Sequence, residues 1–147
     1  MLENTIDITT ANLLNEVSAR IPQGYRFVTV TCLDGGDHHE IYYHFDKDYQ
    51  LCNLRLLLPK GQPLPSISHI CFAAVLVENE LQDLFGIKVA DMVIDYGGRL
   101  LLTEDAPKAP LNKSVSVVAK PPTAVDASKT PPSGLEGATK GAEGGIV

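Results

Sequence analysis

The chain has 147 residues, of which 44% are hydrophobic, and this size favours a single domain with a modest core. Its 12 basic and 18 acidic side chains give a formal net charge of -6. This acidic balance argues against a nucleic-acid-binding surface, which needs a basic patch. No apolar run approaches the roughly 20 residues of a membrane-spanning helix, and the N-terminus lacks a signal-peptide pattern, so we expect a soluble, cytoplasmic protein.

Alternating apolar residues predict a hairpin and a third strand in the first half of the chain. Strands are expected over residues 26–33, 40–45 and 51–58, and Pro59 should stop the third. A helix over residues 11–17 precedes them. The side chains expected to face the core are Leu13, Leu14 and Val17 in the helix, Val28, Val30 and Cys32 in the first strand, and Ile41, Tyr43 and Phe45 in the second.

The middle of the chain predicts a second helix. Pro63 and Pro65 should keep the segment after the third strand out of a β ladder, because proline has no N–H to donate. Ser66 or Ser68 is expected to cap a helix over residues 70–85, which is rich in alanine, valine and leucine. This helix would form the second layer of the domain.

Residues 1–106 are expected to form a two-layer α+β domain, a mostly antiparallel sheet with helices on one face. Short strands are also expected at residues 92–94 and 100–102. Residues 107–147 contain six of the ten prolines and no aromatic residue, so they lack the apolar surface needed to fold alone. We expect an irregular tail that is flexible or wraps a partner.

The end of the second helix carries a concentration of acidic residues. Val77, Leu81 and Leu84 fall at helical spacing and would be buried, whereas Glu80 and Asp83 would share another face. Acidic groups near a helix C-terminus oppose the helix dipole, by roughly a few tenths of a kcal/mol each, so helix stability alone does not account for them. We expect these side chains to serve another purpose.

This segment has the pattern E-x-E-x-x-D-x-F-G-I. The matching residues are Glu78, Glu80, Asp83, Phe85, Gly86 and Ile87. It resembles the signature of the small hydrophilic peripheral-arm subunit of respiratory complex I, the bacterial NADH:quinone oxidoreductase included. That family has short counterparts in membrane-bound energy-converting nickel–iron hydrogenases. The resemblance extends over about residues 25–110 and includes Arg99 and the acidic turn Glu104-Asp105.

The resemblance implies a non-catalytic structural subunit without a cofactor of its own, held at the cytoplasmic face of the membrane by its partners. Those partners would be the large nickel–iron or quinone-site subunit and an adjacent iron–sulfur subunit, which would carry the iron–sulfur clusters and the nickel–iron centre. The short domain favours a hydrogenase complex, and a complex I-like NADH or ferredoxin:quinone oxidoreductase is the alternative. The implied partner interface comprises Glu78, Glu80, Asp83, Phe85, Gly86, Ile87, Arg99, Glu104 and Asp105.

Two other classes of function stay open. A small metal-dependent enzyme would use His38, Glu40 and His44, which share one face of a strand. A stand-alone protein-binding module with a flexible tail is the other. The cysteines are widely spaced in apolar runs, without a C-x-x-C pair, and are expected to be buried free thiols. They are Cys32, Cys52 and Cys71.

Overall fold

Two helices lie on one face of a four-stranded sheet in the computed structural model, which describes residues 2–113. The strands are β1 (Thr5–Ile8), β2 (Arg26–Asp34), β3 (His38–Lys47) and β4 (Gln50–Pro59). Their order in the sheet is β1-β4-β3-β2, with β1 parallel to β4 and the other two pairs antiparallel. The expected α+β class is confirmed, whereas residues 114–147, most of the expected tail, lie outside the described part.

The first helix, α1 (Leu13–Arg20), continues into a 3-10 turn at Ile21–Gln23, and the second is α2 (Ala74–Phe85). Two short strands, β5 (Leu64–Pro65) and β6 (Val89–Ala90), pair in parallel and flank α2 in the chain. Within residues 2–113, no helix is long and apolar enough to cross a lipid bilayer.

The core lies between the sheet and the two helices. Alternation along β3 turns every second side chain toward the helices, as the sequence predicts, and the three apolar residues expected there are fully buried. The facing strand β4 follows the same period. The principal core residues are Leu13 and Val17 from α1, Ile41, Tyr43 and Phe45 from β3, Leu54, Leu56 and Leu58 from β4, and Ala74 and Leu81 from α2.

β2 departs from the predicted alternation at Val28. Phe27 pairs with Phe45 whereas Thr29 pairs with His44, so Val28 is the extra residue of a β-bulge. The inward position predicted for Val28 is therefore wrong, since its side chain is 48% exposed. Phe27 packs against the core instead.

Two features near the N-terminus also differ from expectation. Leu14 is exposed rather than buried, because α1 turns only the stripe of Leu13 and Val17 toward the sheet. The sequence does not predict the parallel strand β1. Its four residues are too few for a periodic signal, and its position depends on pairing with β4, which is distant in sequence.

The segment before α2 is rearranged relative to the prediction. The helix begins at Ala74 rather than at residue 70, and no side chain caps it. Pro65 lies within a β ladder, contrary to expectation. The N–H groups of Leu64 and Ser66 form the ladder hydrogen bonds, so Pro65 falls at a position that needs no donor.

The strands predicted at residues 92–94 and 100–102 are absent from the described structure. Residues 91–102 run without regular secondary structure beside α2. Their backbone groups bond to side chains of that helix instead of to a neighbouring strand, so apolar composition alone misled the strand assignment.

Residues 109–113, which the sequence assigns to the tail, lie against the domain. The Asn112 side-chain amide donates to the Phe85 carbonyl (3.0 Å), and the Lys113 N–H donates to the Asp34 carboxylate (2.6 Å). The folded unit therefore continues at least to Lys113.

Removing residues 106–147 should lower the free energy of unfolding by about 2–4 kcal/mol, because it deletes these two hydrogen bonds and the buried Ala109. Removing only residues 114–147 keeps those contacts, and from the composition of that segment we expect a change below about 1 kcal/mol. Urea denaturation of the full and truncated chains measures both values. Equal stability of all three chains would contradict the assignment of residues 109–113 to the domain.

Candidate functional site

Glu78 is fully buried on the face of α2 that packs in the domain. The Ser66 hydroxyl donates to its Oε2 (2.5 Å), and the Ile67 N–H donates to its Oε1 (2.7 Å). Burial raises the pKa of Glu78, and the two hydrogen bonds oppose that rise without cancelling it. Ser66 and Ser68, expected as helix caps, instead contact each other beside this carboxyl group.

Asn79 holds the chain that follows the helix. It is fully buried, and its side-chain amide donates to the carbonyl oxygens of Val75 (2.7 Å) and Ile94 (2.9 Å). Its Oδ1 accepts the N–H of Tyr96 (2.8 Å). One side chain thus satisfies two backbone groups in a segment that has no strand or helix of its own.

Asp83 holds the same segment further along. It is only 2% exposed, and its Oδ2 accepts the N–H groups of Leu101 (2.6 Å) and Leu102 (3.4 Å). Its Oδ1 is buried and has no hydrogen-bond partner among the described residues. Asp83 therefore does not share an exposed face with Glu80, as the helical spacing predicted; Glu80 alone of the two is exposed.

The helix ends at Gly86, which has φ of 68°, the left-handed conformation expected there. A Cβ atom at this position would lie 3.1 Å from the Ala109 Cβ, so glycine also permits close packing of the later chain. Ile87 is buried in the core, whereas Phe85 is half-buried and packs edge-on against the His39 ring, with centroids 6.2 Å apart. Burial, followed by the Lys60 charge, lowers the pKa of His39.

Some of the predicted interface residues line one cleft of about 520 Å³ beside the end of α2. Arg99 and Glu104 form an exposed ion pair at its edge (2.8 Å). Glu80 and Asp105 are exposed but do not line the cleft, and Glu78 and Ile87 are buried elsewhere. The predicted residues that line the cleft are Asp83, Gly86, Arg99 and Glu104.

Asp34 forms a second anchor, at the β2–β3 turn. Its Oδ1 accepts the Gly36 N–H (2.8 Å), and its Oδ2 accepts the Lys60 ammonium (2.8 Å) and the Lys113 N–H (2.6 Å). Burial alone would raise the pKa of Asp34, but the hydrogen bonds from Lys60, Gly36 and Lys113 outweigh it and hold that pKa well below its usual range. The turn role of Asp34 follows from the sequence, whereas the contacts with Lys60 and Lys113 do not.

The metal-site hypothesis finds no support in the arrangement of His38, Glu40 and His44. The Glu40 carboxylate is paired with Arg55 (2.5 Å), and both ring nitrogens of His44 bond to polar side chains. The partners of His44 are Asn53 and Thr31, at 2.7 and 2.9 Å. Across residues 2–113, no group of three or more His, Cys, Asp or Glu is placed to hold a metal ion.

The cysteines are free thiols, as expected, although only Cys71 is fully buried and Cys32 and Cys52 are half-buried. Burial raises the pKa of Cys32 to about 12 and raises that of Cys71 as well. Both side chains are therefore protonated thiols at neutral pH, which is not the form that attacks or binds metals.

Sequence reasoning missed the buried roles of Glu78 and Asn79. A signal was present, since both fall on the stripe that Ala74, Val75 and Leu81 bury. A polar residue at a core-facing position of a helix needs an internal hydrogen-bond partner. The identity of that partner depends on loops that no local pattern describes.

Comparisons with known proteins give one family and one similar structure. Residues 8–121 match the family described as the respiratory-chain NADH dehydrogenase, 30 Kd subunit. The chain is also similar to one in the structure of the membrane-bound sulfane sulfur reductase (MBS), an archaeal respiratory membrane complex. The identity is 15% and the TM-score 0.64, over 78% of this chain and 72% of that chain, so the likeness shows a shared fold. No match was found among curated proteins.

Gly86→Ala should lower the free energy of unfolding by about 2–4 kcal/mol, from the positive φ and from crowding against Ala109. The matched control is Gly97→Ala, which has a similar φ of +64° but open space around the added Cβ, so it should lose only about 1–2 kcal/mol. A double-mutant cycle with Ala109→Gly, measured by urea denaturation, isolates the contact. Absence of coupling between positions 86 and 109 would contradict close packing as the reason for glycine.

Replacing Glu78 separates its hydrogen bonds from its charge. Glu78→Ala should cost about 2–4 kcal/mol at pH 7, because it leaves the Ile67 N–H buried without an acceptor. Glu78→Gln keeps an acceptor for that N–H and should cost less. Equal losses for the two variants at pH 7 would show that the side chain acts by packing alone.

The pH dependence of the glutamine variant has a definite sign. Because the pKa of Glu78 is raised in the folded state, wild type is destabilised as pH rises from the unfolded value of about 4.3 through the folded value. Glu78→Gln does not titrate and escapes this loss, so its stability relative to wild type should rise between pH 4 and pH 7. Urea denaturation at both pH values measures the difference, and a fall in relative stability would contradict the raised pKa.

Proposed function

Because the chain belongs to the respiratory-chain NADH dehydrogenase 30 Kd subunit family, we propose that it is a non-catalytic subunit of a membrane-associated redox complex and braces the large catalytic subunit. It carries no redox cofactor. Electrons pass through its partners, and its contribution is a rigid surface that fixes their position.

The observation that supports this proposal most directly is the use of the buried polar side chains in the signature. Glu78, Asn79 and Asp83 bond mainly to backbone groups of loops on both sides of α2. Such bonds give loops a fixed shape, which a docking surface needs because ordering a loop during association opposes binding.

The charged residues that remain exposed around this framework are suited to a partner contact. Glu80, Glu104 and Asp105 are exposed and acidic, and Arg99 is the one base paired among them. A basic partner surface would complement this excess of negative charge, which contributes to specificity and orientation more than to affinity.

Among membrane-associated complexes, an energy-converting nickel–iron hydrogenase is the first candidate, because the domain is short. The partners would then be the large nickel–iron subunit and an adjacent iron–sulfur subunit, with all clusters and the nickel–iron centre in those chains. A complex I-like NADH or ferredoxin:quinone oxidoreductase is the second candidate, with a quinone-site subunit as the large partner. Attachment to the cytoplasmic face of the membrane would depend entirely on the partners.

The proposal is tested by purifying the tagged chain from gently solubilised membranes of its own host. We expect the chain to bring with it a large subunit and an iron–sulfur subunit, and the metal content and electron-transfer activity of the complex distinguish the candidates. Nickel with hydrogen oxidation identifies a hydrogenase, whereas quinone reduction without nickel identifies a complex I-like enzyme. Recovery of the chain only as a free monomer would contradict the proposal.

Glu80→Lys should weaken retention of the large subunit in that preparation, and the loss should shrink as salt screens the contact. Glu80 suits this test because it is exposed, whereas reversing the charge of buried Asp83 would disrupt the fold. Glu3→Lys, an equal change at an exposed site on the N-terminal segment, is the control and should leave retention unchanged. Equal effects of the two variants would remove Glu80 from the interface.

A further inference from the structure

An exposed apolar surface lies beside the signature, and it is distinct from the acidic residues that the signature singles out. It combines the outward side of the start of α2 with the chain that follows β6. We name this surface the α2 patch. Its members are Phe72, Leu76, Val93, Ile94 and Tyr96, with exposed fractions of 65, 58, 40, 39 and 44%.

Hydrogen bonds hold the two parts of the patch side by side. The Asn79 side chain bonds to both the Val75 and Ile94 carbonyl oxygens, which places the later segment against the helix next to Leu76. The Val93 N–H donates to the Ser68 hydroxyl (3.0 Å), in the segment that leads into α2. The relative position of the apolar side chains is thus set in the isolated chain.

The same bonds explain why these side chains face outward. Buried groups of α2 bind the backbone of residues 93–96, so the backbone is drawn toward the helix and large apolar side chains remain exposed. Exposure of single apolar residues is ordinary, but several in one fixed cluster mark an interaction surface.

The charge around the patch identifies the kind of partner. Glu80, Asp91 and Asp95 are exposed at its margins. A second copy of the chain would place like charges opposite each other across a two-fold axis, which disfavours self-association. A surface with apolar residues at its centre and lysine or arginine around them complements both the patch and its margin.

We propose that the α2 patch docks a neighbouring protein subunit of the same complex, through a surface of apolar residues flanked by lysine or arginine. This inference rests on the proposed function and adds a specific surface to it. Binding buries the apolar side chains without reshaping the loop, because α2 already holds that loop in place.

The exposed leucines of the sheet provide the control. Leu33 on β2 and Leu57 on β4 are 52 and 46% exposed, and Glu40 of β3 lies between them in the sheet register. They have exposure similar to that of the patch residues but are separated by a charged side chain, so they do not form an apolar cluster. Variants at Leu33 therefore control for exposure and hydrophobicity.

The experiment uses the full chain in its own cells, with a photoreactive benzoylphenylalanine at position 76 or, as control, at position 33. After irradiation, the complex is purified and the crosslinked peptides are identified by mass spectrometry. Position 76 should crosslink to a peptide of another subunit that co-purifies in the complex, with lysine or arginine near the crosslinked residue. Position 33 should give no more than a minor fraction of that product.

Charge variants at the same site add a quantitative test. Leu76→Glu and Leu76→Lys should both lower the fraction of the chain retained in the complex, and Leu76→Lys by about tenfold or more, as expected for loss of an apolar anchor next to a basic partner. Leu33→Lys should leave that fraction unchanged. Thermal unfolding of each purified variant confirms that it is folded.

The outcomes separate this inference from the proposed function. If the chain stays in the complex but position 76 crosslinks to residues of its own chain, to a second copy or to nothing, the docking role of the patch is wrong and the subunit role stands. Equal retention of Leu76→Lys and wild type also overturns the patch. If the wild-type chain enters no complex, both proposals fail.

Discussion

The fold depends on three buried polar side chains of one helix, Glu78, Asn79 and Asp83. Residues 91–102 form no strand or helix, yet their backbone N–H and C=O groups lie next to α2 and need partners there. Asn79 and Asp83 supply those partners, and Glu78 does the same for the segment that enters the helix. Without them, both loops would lose the contacts that fix their paths.

Burying carboxyl groups opposes folding, and the surroundings offset this in different ways. Glu78 has a hydrogen-bond donor for each oxygen, and the raised pKa shows that its desolvation is only partly compensated. Asp83 is satisfied through one oxygen, while the other has no partner in the described part of the chain. Apolar residues at these positions would avoid the desolvation penalty but would leave backbone groups of the loops unsatisfied.

The sequence predicted the elements that have a strong period, and it failed where the structure depends on distant contacts. Alternation placed Ile41 and its neighbours on β3 correctly, and the left-handed end of α2 followed from Gly86. The bulge at Val28 broke the alternation without a glycine to mark it. The signature was visible as acidic residues, but spacing alone assigned Asp83 to an exposed face, because its partners at Leu101 and Leu102 belong to a segment that looked like a strand.

The end of the signature has a structural reason that is independent of any partner. Phe85 offers its carbonyl to Asn112, and Gly86 leaves room for Ala109, so the end of α2 binds the chain after the acidic turn. That chain continues to Lys113, whose N–H reaches Asp34 on the β2–β3 hairpin. Helix end, C-terminal segment and hairpin are therefore connected in series. A segment held at both ends can present residues on the intervening loop in a fixed position, which accounts for a signature made of buried groups next to a surface made of exposed ones.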